Sequence, residues 1–183
     1  MKFLKEILEW IVVVAVSIIV YLAVTTYVIA PFTVKGHSMD YTFADSDKVF
    51  VSKLSSNYER GENIVFHANE KDDYIKRVIG VPGDTVAYID DELYINGSKV
   101  EEPYLAKKKQ EAKKEGKAPL TADFSIENLS STTSKKVPEG TYFVMGDNRQ
   151  HSTDSRVFGF VKKDKIIGKV VLRYYPFSSF KTF

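Results

Sequence analysis

The segment DDYIKRVIGVPGD, residues 72–84, has the pattern of a β-strand that carries charge and ends in a turn. Its apolar residues are mostly β-branched, and Pro82-Gly83 closes the run with the residue types that favour a turn. Alternation places Tyr74, Lys76 and Val78 on one face of the strand and the residues between them on the other. A lysine in such a run either snorkels from an edge strand or is buried, in which case its charged form is disfavoured.

Short runs of the same kind continue on both sides of this segment. They are rich in Val, Ile, Tyr and Phe and are separated by Gly, Pro, Asn and Asp, which predicts a mainly β fold. The candidate strands are FTVKG (32–36), KVFVSKL (48–54), NIVFHA (63–68), DYIKRVIGV (73–81), TVAYI (85–89), ELYI (92–95), TYFVMG (141–146) and IIGKVVLRYY (166–175). Asn96-Gly97 predicts a type I′ hairpin, because both residues accept positive φ.

Two polar segments interrupt this pattern. The segment EEPYLAKKKQEAKKEGKA, residues 101–118, has helical propensity but almost no apolar stripe, so it predicts a solvated helix or a loop. Its lysines are mixed with Glu111 and Glu115, which argues against a functional basic patch. The segment SSTTSKK, residues 130–136, predicts a loop.

The run IVVVAVSIIVYLAVTTYVIA, residues 11–30, contains no charge. Twenty helical residues reach about 30 Å, the thickness of a bilayer's hydrocarbon core, so we predict a transmembrane anchor. The alternative is a cleavable secretory signal, because Lys2 and Lys5 precede the run and small residues end it. The run exceeds the ~7–15 apolar residues of a signal, and Pro31 follows the candidate cleavage site. Lysines flank the apolar run in similar numbers on both sides, so their distribution does not decide which end of the segment faces the cytoplasm.

Composition limits the remaining possibilities. A chain of 183 residues has room for one membrane segment and one domain, and its net charge of +2 gives no sign of a nucleic-acid partner. The absence of cysteine excludes disulfides, thiolate metal sites and a cysteine nucleophile. We predict a protein without a cofactor.

Ser38, within KGHSMDYTF (residues 35–43), is the candidate nucleophile, and a serine needs a base within hydrogen-bond reach. His37 is its neighbour, and adjacent side chains on a strand point to opposite faces. His67 and His151 have the pattern of surface or capping residues. The G-x-S-x-G pattern of hydrolases is not met, because Asp40 replaces its last glycine.

Lysine is the other possible base. An S-x-x-K pattern occurs at residues 178–181, but it follows a proline without a predicted helix, so we treat it as chance. Lys76 would need its pKa lowered by about three units to be half neutral near pH 7.5, a desolvation of roughly 4 kcal/mol. The polar run VMGDNRQHSTDSRVFG, residues 144–159, follows an apolar strand and indicates a supported site.

These segments together resemble bacterial type I signal peptidases, membrane-bound serine proteases that remove signal peptides from exported proteins. The resemblance spans nearly the whole chain. It includes the N-terminal anchor, GHSM (36–39), RGENIVFHAN (60–69), YIKRVIGVPGDTV (74–86) and MGDNRQHSTDSRVFG (145–159), in the family's order.

The resemblance implies a role for each residue of the site. Ser38 would attack the scissile carbonyl through its hydroxyl and supply an oxyanion donor through its backbone N–H, and Lys76 would act as general base and then general acid. Ser152 would orient the Lys76 ammonium. Two ion pairs, Asp154 with Arg156 and Asp147 with Arg77, would support the site.

The resemblance also implies a fold and a mode of substrate binding. The fold would be mainly antiparallel β, with a catalytic core interrupted by a smaller β insertion at about 87–136. The chain would divide into a cytoplasmic N-terminus (1–10), an anchor (11–30) and an extracytoplasmic catalytic domain (31–183). The substrate would bind as an added strand. Pockets for its small residues would be lined by Phe32, Val34, Met39, Phe43, Tyr74 and Ile75.

The implied partners are the signal peptides of secreted preproteins and the lipid bilayer, with a monomeric enzyme and no nucleic acid. The Gram-negative branch of the family often has serine at the position of Gly36. With glycine there, this chain resembles the Gram-positive branch. Tyr41 and Phe43 depart from the family's usual proline and leucine. Two alternatives remain: a non-catalytic membrane-anchored binding module, and a self-cleaving repressor of the same mechanism, which would need a DNA-binding module where this chain has its anchor.

Overall fold

The computed structural model of the chain describes residues 2–183. Residue 1, at the start of the predicted cytoplasmic segment 1–10, and the side chain of Lys2 lie outside the described structure. The helices are α1 (Lys2–Tyr27), α2 (Ala106–Lys114) and α3 (Ser155–Phe158), and short 3-10 turns occur at Arg149–His151, Lys163–Lys165 and Phe177–Ser179. The strands are β1 (Ile29–Thr33), β2 (Lys48–Ser52), β3 (Asn63–His67), β4 (Asp73–Gly80), β5 (Val86–Ile89), β6 (Glu92–Ile95), β7 (Ser98–Val100), β8 (Phe124–Ser125), β9 (Thr141–Met145), β10 (Val161–Lys162), β11 (Ile166–Tyr175) and β12 (Lys181–Thr182).

Helix α1 contains a 23-residue stretch, Lys5–Tyr27, that is long and apolar enough to cross a membrane, and none of it is buried inside the protein. The helix ends three residues before the predicted end of the anchor at Ala30. It ends there because Ile29–Thr33 pair with β2 as strand β1, which also begins before the predicted strand 32–36. The Lys53 ammonium donates to the carbonyls of Thr25 (3.1 Å) and Thr26 (3.0 Å), which closes the helix end.

The larger sheet has the order β1-β2-β11-β3-β4-β9-β10, with β12 pairing to β11, and all its pairs are antiparallel. Strand β4 lies near its middle and contributes to three apolar clusters. Ile75, Val78 and Ile79 each belong to a different one of them. Both faces of β4 are covered, which explains why its apolar residues do not alternate strictly with polar ones. Lys76 is buried together with these apolar neighbours.

A second sheet, of order β7-β6-β5-β8, is formed within residues 86–125. The predicted Asn96-Gly97 hairpin is confirmed, with φ of 53° and 78° between β6 and β7. A second hairpin joins β5 and β6 at Asp90-Asp91, between the strands predicted at 85–89 and 92–95, with φ of 52° and 62°, a conformation that aspartate tolerates. The charged segment 101–118 contains α2, which has no buried residue and so matches the predicted solvated helix.

Candidate active site

Ser38 and Lys76 meet beside strand β4 of the larger sheet. Ser38 lies in the turn after β1, and Lys76 projects from β4 so that its Nζ donates to Ser38 Oγ at 2.7 Å. The same ammonium donates to the carbonyl of Ile75 at 3.2 Å and lies 5.1 Å from the centre of the Tyr74 ring. The lysine and the serine are thus in direct hydrogen-bond contact, although 38 positions separate them in the sequence.

Burial changes the acidity of Lys76. The residue is only 3% exposed, and this desolvation lowers the pKa of its ammonium from 10.5 to about 8. The carboxylates of Asp154 and Asp147 act in the opposite direction and keep the shift from being larger. A neutral amine is therefore available near neutral pH, which an exposed lysine does not provide.

The loop that follows β9 holds the turn that carries Ser38. Asn148 donates its backbone N–H to the carbonyl of Ser38 and its side-chain amide to the carbonyl of His37, both at 2.9 Å. Gly36 begins the turn with φ of +80°, a conformation that favours glycine. Asn148 lies in a polar run that gives no sign of this role, because only the spatial approach of the two loops creates it.

Both predicted ion pairs are present. Arg77 donates to the two oxygens of Asp147 at 2.8 and 2.6 Å, and Arg156 donates to the two oxygens of Asp154 at 2.8 Å each. Asp154 also accepts from the backbone N–H of Gly146 at 3.0 Å. Bidentate ion pairs are strong and also fix the relative orientation of the two side chains. These two pairs therefore hold both ends of the loop 146–154.

Ser152 packs tightly against Gly146. A Cβ at Gly146 would lie 2.2 Å from Ser152 Oγ and 2.5 Å from the carbonyl of Ser38, so only glycine fits there. The Ser152 hydroxyl is buried and makes no hydrogen bond within residues 2–183. The hydrogen bonds of the Lys76 ammonium go to Ser38 and Ile75 instead. The role implied for Ser152, orienting that ammonium, stays a prediction.

The predicted pocket residues separate into two groups. A cavity of about 220 Å³ beside Ser38 is lined by Phe32, Tyr74 and Ile75, among others. The remaining three, Val34, Met39 and Phe43, do not line it: they are at most 1% exposed and pack in an apolar cluster with Ile75 and strand β2. They therefore form core beneath the turn rather than the wall of this cavity.

Phe43 lies outside the predicted pocket because it packs against residues from a distant part of the chain. Its ring packs against that of Phe183 with a tilt of 37° and 4.8 Å between the ring centres, and the Arg173 guanidinium lies 5.9 Å from its centre. Both partners come from the C-terminal part of the chain, more than 100 positions away. The bulk that replaces the family's usual leucine is accommodated by these partners.

Phe43→Leu should consequently change stability and leave substrate selectivity unchanged. We expect a loss of about 1 kcal/mol in the free energy of unfolding, because a smaller side chain underfills the site. Thermal denaturation measures the first effect, and kcat/KM for substrates with Ala or Ser before the cut measures the second. A change in the Ala/Ser ratio of kcat/KM would show that Phe43 lines the substrate pocket after all.

The three histidines do not hydrogen-bond to Ser38 or Lys76 in residues 2–183. His37 contacts Asp40 at 3.1 Å and His67 contacts Asp73 at 2.6 Å, and both rings are largely exposed. His151 lies at the border of the cavity beside Ser38. Among these candidate bases, Lys76 is the one that contacts Ser38 within residues 2–183.

Comparison with known proteins identifies the family. The model of the family described as signal peptidase, peptidase S26, matches residues 7–175. This chain belongs to the signal peptidase family. Signal peptidase IB of Staphylococcus aureus (strain COL) is 46% identical over 182 residues, which cover 97% of this chain and 94% of that protein. Signal peptidase I of Bacillus caldolyticus is 47% identical over 168 residues, or 90% of each chain.

A solved signal peptidase structure is also similar. The crystal structure of a signal peptidase I from Enterococcus faecalis V583 matches with a TM-score of 0.57 and 46% identity, covering 62% of this chain and 96% of that one. The resemblance to signal peptidases and the mainly antiparallel β fold with an N-terminal apolar helix are therefore confirmed. The chain is a peptidase of family S26, a family that removes signal peptides.

Proposed function

We propose that this signal peptidase cleaves the signal peptides of secreted preproteins with Ser38 as nucleophile and Lys76 as general base. The observation that carries the proposal is the 2.7 Å contact between Lys76 Nζ and Ser38 Oγ, made by a buried lysine. This distance is within the range that proton transfer requires.

The reaction follows from the two protonation states of Lys76. In its neutral form, Nζ accepts the proton of Ser38 Oγ while the oxygen attacks the scissile carbonyl. The ammonium formed then donates that proton to the leaving amine as the peptide bond breaks, which leaves an ester on Ser38. A water molecule, deprotonated by the neutral amine, hydrolyses the ester and restores the hydroxyl. The backbone N–H of Ser38 is a donor for the oxyanion.

The remaining residues have supporting roles in this proposal. The ion pairs of Asp147 with Arg77 and of Asp154 with Arg156 hold the loop that positions Ser38. Ser152 orients the Lys76 ammonium once the substrate occupies the site, and its unpaired, buried hydroxyl is free to do so in the part of the chain that is described. Phe32, Tyr74 and Ile75 contact the substrate, because they line the cavity beside Ser38.

We further propose a membrane topology and a domain division. Residues 1–10 are cytoplasmic, α1 spans the bilayer, and a monomeric catalytic domain faces outward, where exported preproteins emerge. The second sheet, formed within residues 86–125, supports an insertion at about 87–136 in the catalytic core. The close junction of α1 and β1 supports a site held near the membrane surface.

The test is the pH dependence of preprotein cleavage by the full chain in detergent micelles. Since the pKa of Lys76 is about 8, about one lysine in ten is neutral at pH 7, and the rate should rise about tenfold from pH 6 to 7 and level off above pH 8. Release of the mature protein on a gel measures the rate. A maximum below pH 6, or a rise that continues past pH 10, would contradict a buried lysine base.

A further inference from the structure

Strand β4 has a free edge beside Ser38. It pairs with β3 from Asp73 to Arg77, but its pairing with β9 on the other side begins only at Arg77. In the described chain, residues 73–76 therefore have no strand partner on the side of β9. An unpaired strand edge of this kind accepts an extended peptide by backbone hydrogen bonds.

The two faces of this edge differ. Ile75 faces the apolar core, whereas Tyr74 faces a cavity of about 440 Å³. Aromatic rings form much of its wall: Phe66 lies 6.3 Å from Tyr74 and 6.0 Å from Phe158, measured between ring centres. The Phe158 side chain is 40% exposed, so this wall is accessible to a ligand.

This cavity is continuous with the catalytic cleft. Tyr74 and Thr153 line both the cavity and the cleft that contains Ser38 and Lys76. Lys162 and Lys165 line its other side, and each is largely exposed. The cavity thus combines an aromatic wall with a cationic rim, which favours a bulky apolar side chain over a cationic one.

We propose that this cavity is the subsite for the second residue before the cleaved bond, and that it selects bulky apolar side chains. The inference rests on the proposed function. Signal peptides end in an A-x-A-like pattern, in which small residues flank a central one. Side chains of a strand bound along residues 73–76 alternate between the two faces of β4. When the two small residues face the core side at Ile75, the central residue faces the cavity.

A matched series of preproteins tests this subsite. The series carries Ala, Phe or Lys at the second position before the cut and is otherwise identical, and kcat/KM is measured with the full chain in micelles. We expect Phe to exceed Ala by about tenfold, because its ring becomes buried in the cavity. Lys should be no better than Ala.

Filling the cavity should remove this preference. Ala68 is an exposed lining residue in the turn between β3 and β4, so Ala68→Trp places an indole in the cavity. The Phe/Ala ratio should fall to about one. Ala106→Trp, the same change at an exposed position of α2, should keep the ratio of the parent. Should the Ala68→Trp variant not fold, Ala68→Leu provides the same test with a smaller side chain.

The proposal is overturned if the parent shows no preference for Phe, or if the preference survives in the Ala68 variant. The same peptides bound to Ser38→Ala, with Kd read by fluorescence anisotropy, separate this inference from the proposed function. If the parent cleaves none of these preproteins while Ser38→Ala retains the Phe preference in Kd, the catalytic proposal alone is refuted. Cleavage with equal Kd and equal kcat/KM for Phe and Ala refutes the subsite alone.

Discussion

Ser38→Ala and Lys76→Met should each lower kcat/KM for preprotein cleavage by about a thousandfold or more. The first change removes the attacking oxygen, and the second removes the group that accepts its proton. Methionine keeps the length and the apolar packing of the lysine stem without a titratable group, so the fold should persist. Lys76 is 3% exposed, and its neutral replacement has no charge to desolvate.

The control for this experiment lies in the same chain. Ser178 and Lys181 repeat the S-x-x-K spacing near the C-terminus, where the 3-10 turn Phe177–Ser179 and strand β12 have no buried residue. Ser178→Ala and Lys181→Met should retain the activity of the parent. Thermal denaturation of all four variants shows whether any loss comes from unfolding. A Lys76→Met variant that keeps more than a few per cent of the activity would refute a lysine base.

Glu102→Ala should be the most destabilising of the changes considered. Arg149 extends from the loop after β9 and is fully buried, and its guanidinium donates to Glu102 at 2.6 Å. Tyr88 and Tyr104 also donate to this carboxylate, at 2.6 and 2.8 Å. Burial alone would raise the pKa of Glu102, but Arg149 holds it below its usual value. Removing the carboxylate takes from the buried Arg149 cation the negative charge that it pairs with.

The expected loss is about 3–5 kcal/mol of unfolding free energy, which lowers Tm by roughly 10 °C in a domain of this size. Differential scanning calorimetry in micelles measures it. Glu127→Ala is the matched control, because Glu127 is exposed and lies 3.7 Å from Lys135; its effect should be below about 1 kcal/mol. Equal Tm values for the two variants would show that the buried pair contributes nothing.

Much of the fold was predictable because local patterns agree with the tertiary structure. The strand predicted at 166–175 is β11 itself, since its β-branched residues pack on a sheet as their pattern requires. The catalytic pair was predictable for a different reason. A lysine in an apolar run and a serine in a turn are each ambiguous alone. Only the ordered set of family motifs predicted that Ser38 and Lys76 form one site.

The remainder depends on contacts between distant segments. The sequence shows Arg149 only as part of a polar loop, and Glu102 only as part of a charged segment, yet the two meet in the interior. Likewise, helix α1 gives way to β1 before the apolar run is complete, because pairing with β2 outweighs the helical tendency of Ile29 and Ala30. Local propensity is a weak prior where such partners exist.

The position of Pro31 has a consequence for how copies of this protein meet. Strand β1 is one of the two outer strands of the larger sheet, and Pro31 lies exposed within it, paired only toward Phe50 of β2. In the membrane topology proposed above, β1 directly follows the anchor, so every copy would present this edge at the same height and collisions between equal edges would be frequent. A proline has no N–H to offer an approaching strand, and such residues guard exposed edges against sheet-to-sheet association. In that topology, Pro31 would keep neighbouring copies from joining at the edges that the anchor brings together.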